Sequence, residues 1–370
     1  MRAVPALMLS VLVLGCGDDG AATPDLSVEA SGTFDVGVRA VTLDDQARGR
    51  TLPTLLFYPA APPTAPAAGL TIDLLAGAAH RADYVRLLDA APAGCPTRAL
   101  SQAAEGAEVA AGRFPLVVMS HCHECTAFSK ATIAIRLASH GFVVAAVEHT
   151  GNTLWNQLAG DGLGLDATTL ALRAADVRFG LDELARAGSP VPASIQAAID
   201  PEHVGVVGHS FGAVTAGVVV QDDPRVDAAF ALAAPMENPL LPGVTVAGID
   251  RPLGFLVAVE DNSITELGNQ FIRNNFDGAG GPAWKIELAD AGHWSVSDLV
   301  AVVPGFAAGC GQGTRQTDGQ PFTYVGPAIG RSLAAAYVTA FFKATLEDDA
   351  GARAYLTHPR ADGAATLSAR

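Results

Sequence analysis

Short apolar runs separated by longer amphipathic stretches set the rhythm of this chain. Leu116 to Met119, Phe142 to Val147, Val204 to Val207, Ala228 to Ala233 and Phe255 to Val259 are nearly continuous in apolar residues. Runs of this length without alternation read as strands buried on both faces. Trp284 to Leu288 reads as a further strand. Between them lie helical stretches. Phe128 to His140 is ended by Gly141, a residue suited to a left-handed cap. Thr168 to Ala187 carries Leu170, Ala174, Val177, Leu181 and Leu184 on one face, and Phe211 to Val220 and Gly330 to Ala344 complete the series. Strands alternating with helices predict an α/β fold, a mainly parallel sheet of eight strands with helices on both faces.

The first part of the chain follows another pattern. Phe34 to Leu43 alternates apolar and polar residues, and Leu52 to Tyr58 is a second strand closed by Pro59. The polar turn Asp44 to Arg50 between them predicts an antiparallel hairpin. Ala60 to Gly69 is rich in Ala and Pro, and Leu70 to Ala111 is mostly helix-forming, broken at Cys95-Pro96. Residues 60–112 are therefore expected to form an insertion near the mouth of the site. The domain is expected over 33–345, followed by a polar C-terminal tail at 346–370.

The N-terminus reads as a processing signal. Arg2 precedes the apolar run Ala6 to Leu14, which is too short to cross a bilayer as a mature helix. It ends in Val13-Leu14-Gly15-Cys16, which resembles a bacterial lipobox. The expectation is a lipoprotein-type signal peptide at 1–15, an acylated Cys16, and a small-residue tether at 16–32. The mature protein would then be exported and lipid-anchored in the bacterial cell envelope.

Composition narrows the function classes. The 370 residues are 49% hydrophobic and 16% charged, with a formal net charge of −15. Such a chain can bury a large core and is not of the disordered type. Its acidity argues against nucleic acid as a partner, and against strong attraction to anionic lipid. With Cys16 acylated, Cys95, Cys122, Cys125 and Cys310 remain. In an exported chain four cysteines suggest two disulfides, with three connectivities open. Cys122-His123-Glu124-Cys125 also has the spacing of redox and zinc sites; zinc would need two more ligands, such as His121 or Cys310.

The chemistry is concentrated in Gly208-His209-Ser210-Phe211-Gly212, a G-x-S-x-G sequence set between a strand and a helix. In that context the turn lifts a serine hydroxyl above the sheet, and the next N–H, that of Phe211, is aimed at the reacting oxygen. A serine nucleophile needs a base. In this arrangement the chain order is serine, acid, histidine, so only His293 and His358 qualify. His293 follows the strand Trp284 to Leu288, whereas His358 lies in the tail. The acid is expected at Asp261, in the loop after Phe255 to Val259, with Glu260 and Glu237 as alternatives. The second oxyanion N–H is expected from Cys122 or His123, in the loop after Leu116 to Met119.

These residues carry a family resemblance. Pro115 to His121, Leu137 to His149, Val206 to Gly212 and Gly292-His293-Trp294 through Asp298 resemble the platelet-activating-factor acetylhydrolase branch of the α/β-hydrolases, and the related bacterial dienelactone-hydrolase-like esterases. The resemblance implies the α/β-hydrolase fold and a serine esterase without cofactor or metal, acting on short-acyl or lipid-like esters. It also implies Ser210 as nucleophile, His293 as base and the His123 N–H as oxyanion donor. Two departures stand out. The acetylhydrolase acid position falls at Ala233, which moves the acid towards Glu260-Asp261. The glycine usual after the oxyanion-loop histidine is Cys122 here. A polyester hydrolase or lipase of the same fold, or a non-catalytic surface binding module, are the other readings of the pattern.

Overall fold

The apolar runs pair into one ten-stranded sheet. In chain order its strands are β1 (Asp35–Asp45), β2 (Arg50–Ala60), β3 (Ala103–Glu105), β4 (Phe114–Ser120), β5 (Val143–Val147), β6 (Ile199–His209), β7 (Ala228–Leu232), β8 (Leu253–Ala258), β9 (Ala283–Leu288) and β10 (Ala365–Ala369). Across the sheet they run β10-β9-β8-β7-β6-β4-β5-β2-β1-β3. The block from β9 to β5 is parallel, while β2 joins β5, and β10 joins β9, in antiparallel pairing. The structure is a computed structural model and describes residues 22–62, 69–100 and 102–370. The expected signal peptide and Cys16 lie outside the described residues.

Two strands exceed the expected eight. β3 comes from the insertion and pairs in parallel with β1. β10 comes from the stretch read as a polar tail, which instead forms a short helix, Ala350–Tyr355, and this edge strand. Edge strands are short and half-solvated, so their sequences carry little apolar pattern. β10 is Ala-Thr-Leu-Ser-Ala, with Leu367 as its one large apolar residue. The insertion is also less helical than expected. It holds helix α1 (Gly77–Ala90), but Leu70–Thr71 pairs with Ala99–Leu100.

Further helices cover both faces: α2 (Ala131–Ser139), α3 (Leu154–Ala159), α4 (Ala167–Ala185), α5 (Ala193–Ala198), α6 (Phe211–Asp222), α7 (Thr265–Gly278) and α8 (Pro327–Leu346). Alternate residues of each buried strand feed opposite layers. Val117 and Met119 of β4 pack in one core with Tyr337 and Phe341 of α8. Leu116 and Val118 pack in the other with Ala174 and Val177 of α4 and Ala213 and Ala216 of α6. Because β4, β6, β8 and β9 are parallel, the loops that follow them gather at one edge of the sheet, where α/β folds build their sites.

Candidate active site

Ser210 occupies a strained turn between β6 and α6. Its φ of 56° and ψ of −121° lie where residues other than glycine are rarely found. The flanking glycines explain how the turn closes. A Cβ on Gly208 would sit 1.9 Å from the carbonyl oxygen of Gly212, and one on Gly212 would sit 2.1 Å from that of Ser120. The Ser210 N–H donates to Leu232 O at 3.0 Å, which ties the turn to β7. Phe211 is the first residue of α6, so its N–H has no partner within the helix.

His293 follows β9 and is buried. Its Nδ1 lies 2.6 Å from Oδ2 of Asp261, a fully buried carboxylate in the loop after β8. Oδ1 of Asp261 accepts the N–H groups of Ser263, at 2.9 Å, and Ile264, at 3.0 Å. So placed, Asp261 accepts a hydrogen bond from the Nδ1–H of His293, which leaves Nε2 with the free lone pair. His209 supports the same loop. Its Nε2 donates to the backbone carbonyl of His293 at 3.1 Å, and burial holds its pKa well below the usual histidine range.

The other carboxylates are engaged elsewhere. Glu260 pairs with Arg315 at 2.9 Å and accepts the N–H of Gln316, which secures the hairpin formed by Gln312–Thr314 and Pro321–Thr323. Glu237 accepts the N–H of Val246 at 2.8 Å. Neither meets His293. His358 is exposed after the helix Ala350–Tyr355. The residue at the acetylhydrolase acid position, Ala233, is buried beyond the end of β7.

The loop after β4 carries the remaining candidates. Cys122 and Cys125 are joined by a disulfide, which removes both sulfurs from metal ligation. Cys95 and Cys310 form a second disulfide, linking the insertion to the segment after His293. The N–H of His123 makes no backbone hydrogen bond among the described residues. Its ring stands 6.0 Å from that of Phe211 and accepts from Asn152 Nδ2 at 2.8 Å through Nδ1. His121 is buried and neutral. Its Nδ1–H donates to Cys122 O at 2.7 Å, and its Nε2 accepts the N–H of His149 at 2.9 Å. Burial and the nearby Arg173 hold its pKa low.

A second line of serine, histidine and aspartate escaped the sequence reading. Ser120 Oγ lies 2.9 Å from His149 Nε2, and His149 Nδ1 lies 3.1 Å from Asp176 Oδ2. All three are buried, and Arg173 Nη2 donates to the same Ser120 Oγ at 3.2 Å, so this line holds the end of β4 and meets no solvent. No local pattern in the sequence marks it, because its members come from β4, the loop after β5 and α4.

Ser210 opens onto an apolar cleft of about 270 Å³, lined by Phe211, Val214, Leu241, Ile264 and Phe271 among others. Its rim is formed by exposed leucines: Leu240 is 82%, Leu267 64% and Leu165 51% accessible. Exposed large apolar side chains clustered beside a pocket mark a surface that meets something apolar.

The comparisons with known proteins bear on the fold. Residues 23–156 match the family described as platelet-activating factor acetylhydrolase, isoform II. The match takes in β1 to β5 and the loop after β4, and stops short of Ser210. The structure of a ferulic acid esterase from Streptomyces cinnamoneus is similar, with a TM-score of 0.66 and 23% identity over 94% of this chain and 98% of that one. Sheet order, strand-turn-helix elbow and these matches define the chain as an α/β-hydrolase-fold protein.

Proposed function

We propose that this chain is a serine esterase working through an acyl-enzyme. Ser210 Oγ attacks the ester carbonyl as Nε2 of His293 takes its proton. Asp261 holds His293 in the required tautomer and balances the imidazolium. The N–H groups of Phe211 and His123 receive the oxyanion. His293 returns the proton to the departing alkoxide, and water, activated the same way, releases the acid. The observation that carries the reading is the buried 2.6 Å contact between Asp261 and His293 at the sheet edge where Ser210 stands on its strained turn.

The substrate we infer is an apolar ester with a short acyl chain or a lipid-like body. Support comes from the leucine-rimmed cleft and from the acetylhydrolase match. Export and anchoring through Cys16 belong to the same proposal; the two disulfides favour an oxidising compartment. The test is a series of nitrophenyl esters of increasing acyl length, run beside a short-chain phospholipid and methyl ferulate. Highest kcat/KM on short acyl chains and on the phospholipid supports the reading. Preference for methyl ferulate redirects it to aromatic acids, and no turnover of any ester overturns it.

A further inference from the structure

In a trans peptide the carbonyl oxygen and the following N–H point to opposite sides. The aim of the Cys122 and His123 N–H groups is therefore set by whatever holds the carbonyl oxygens of His121 and Cys122. The oxygen of Cys122 is held by the His121 ring at 2.7 Å and by the Cys125 N–H at 3.3 Å. The oxygen of His121 is held by Nη2 of Arg173.

The same guanidinium reaches three further supports of the site. Nη1 donates to Asn152 Oδ1 at 2.5 Å, and Asn152 in turn donates to the His123 ring. Nε donates to Thr215 Oγ1, on α6, at 3.3 Å. The guanidinium carbon lies 4.7 Å from the centroid of the Phe211 ring, a cation–π contact. One side chain thus braces both elements that carry the proposed oxyanion donors.

The charge on Arg173 is unusual in its setting. Its hydrogen-bond partners are all neutral, and it is fully buried. Asp176, the carboxylate whose charge reaches it, is taken by Arg48, Arg50 and His149. Burying a cation without a carboxylate in contact is costly, and an apolar side chain would pack the site without that cost. The cost is offset where a negative charge develops nearby, which an oxyanion beside Phe211 and His123 would do.

We propose that Arg173 is a positioning residue for the oxyanion hole, fixing the peptides at 121–123 and the first turn of α6 from beneath. This rests on the serine-esterase reading above. The test compares Arg173→Met and Arg173→Lys with the parent on a short-chain nitrophenyl ester and with a trifluoromethyl ketone, whose adduct with serine carries an oxyanion. The expected result for Arg173→Met is a kcat lower by about 100-fold with KM little changed, and ketone binding weakened by a similar factor. Arg173→Lys should fall between, since it keeps the charge but not the fork. Val177→Ala, on the same helix, controls for lost stability and should leave kcat and ketone binding unchanged.

If Arg173→Met does not fold, Asn152→Ala cuts the link to His123 and should lower kcat about 10-fold at unchanged KM. Near-parental kcat in a folded Arg173→Met, a loss confined to KM, or, where that variant fails, parental kinetics in Asn152→Ala would each overturn the inference. Ser210→Ala in the same assay separates the two claims. If it stays active, the serine-esterase reading falls and the inference with it. If it is dead while Arg173→Met is unimpaired, only the role of Arg173 falls.

Discussion

Asp261 meets His293 through one carboxylate oxygen at 2.6 Å and two backbone N–H groups through the other, so its acceptors are filled in a buried setting. Replacing it by Asn offers an amide where Nδ1 needs an acceptor and favours the wrong tautomer. Asp261→Asn should lower kcat by about 10⁴-fold. Glu260→Gln and Glu237→Gln should leave kcat within a few-fold of the parent. Steady-state kinetics on one nitrophenyl ester decides this; a large loss in Glu260→Gln instead would move the acid by one residue.

The disulfides should separate stability from rate. Cys95–Cys310 spans 215 residues of sequence and Cys122–Cys125 spans three. Loop closure in the unfolded chain favours the first strongly and the second weakly. The double replacement Cys95→Ser, Cys310→Ser should cost about 3–5 kcal/mol in denaturant unfolding. The double replacement Cys122→Ser, Cys125→Ser should cost much less stability yet lower kcat, because it frees the turn that carries His123. Peptide mapping without reductant should recover these two pairings.

Glu148 gives a pH signature. It is buried beside the loop after β4, accepts the Ala127 N–H at 3.0 Å, and burial raises its pKa to about 7. The unfolded chain releases this proton near the ordinary value of 4.5, whereas the folded chain keeps it until about 7. Its contribution therefore falls as pH rises through that window and is flat above it. Glu148→Gln removes the titration and keeps an acceptor. The stability of the variant relative to the parent should rise from about pH 5 to about pH 8, by up to roughly 3 kcal/mol. A pH-independent difference would contradict the burial assigned to this carboxylate.

The apolar rim should govern substrate choice and not chemistry. Leu240→Asp and Leu267→Asp place charges where the cleft meets solvent. Each should raise KM for longer acyl chains several-fold while kcat on an acetyl ester stays near the parent. Equal losses on acetyl and longer esters would show that these leucines act on the fold.

How much of this was legible in the chain depends on how local each feature is. The elbow was legible because strand, turn, nucleophile and helix occupy one unbroken stretch around Ser210. His293 followed from chain order. The acid was ambiguous because Glu260 and Asp261 are neighbours at a strand end, and adjacent side chains there diverge. One reaches His293 and the other Arg315. The Cys95–Cys310 pairing and the tenth strand depend on contacts made across the whole chain, for which spacing is silent. Arg173 was invisible for a different reason. Beside the apolar stripe of a helix, a single arginine reads as a solvated residue, and only the folded packing reveals it buried against Phe211, Ser120 and Asn152.

The central claim is that Ser210 is the nucleophile, and covalent labelling tests it most directly. Folded protein treated with a fluorophosphonate probe should gain one adduct, mapped by peptide mass spectrometry to Ser210. The label should vanish in Ser210→Ala and form far more slowly in His293→Ala. Label on another residue, or none on folded protein that still hydrolyses esters, would contradict the account.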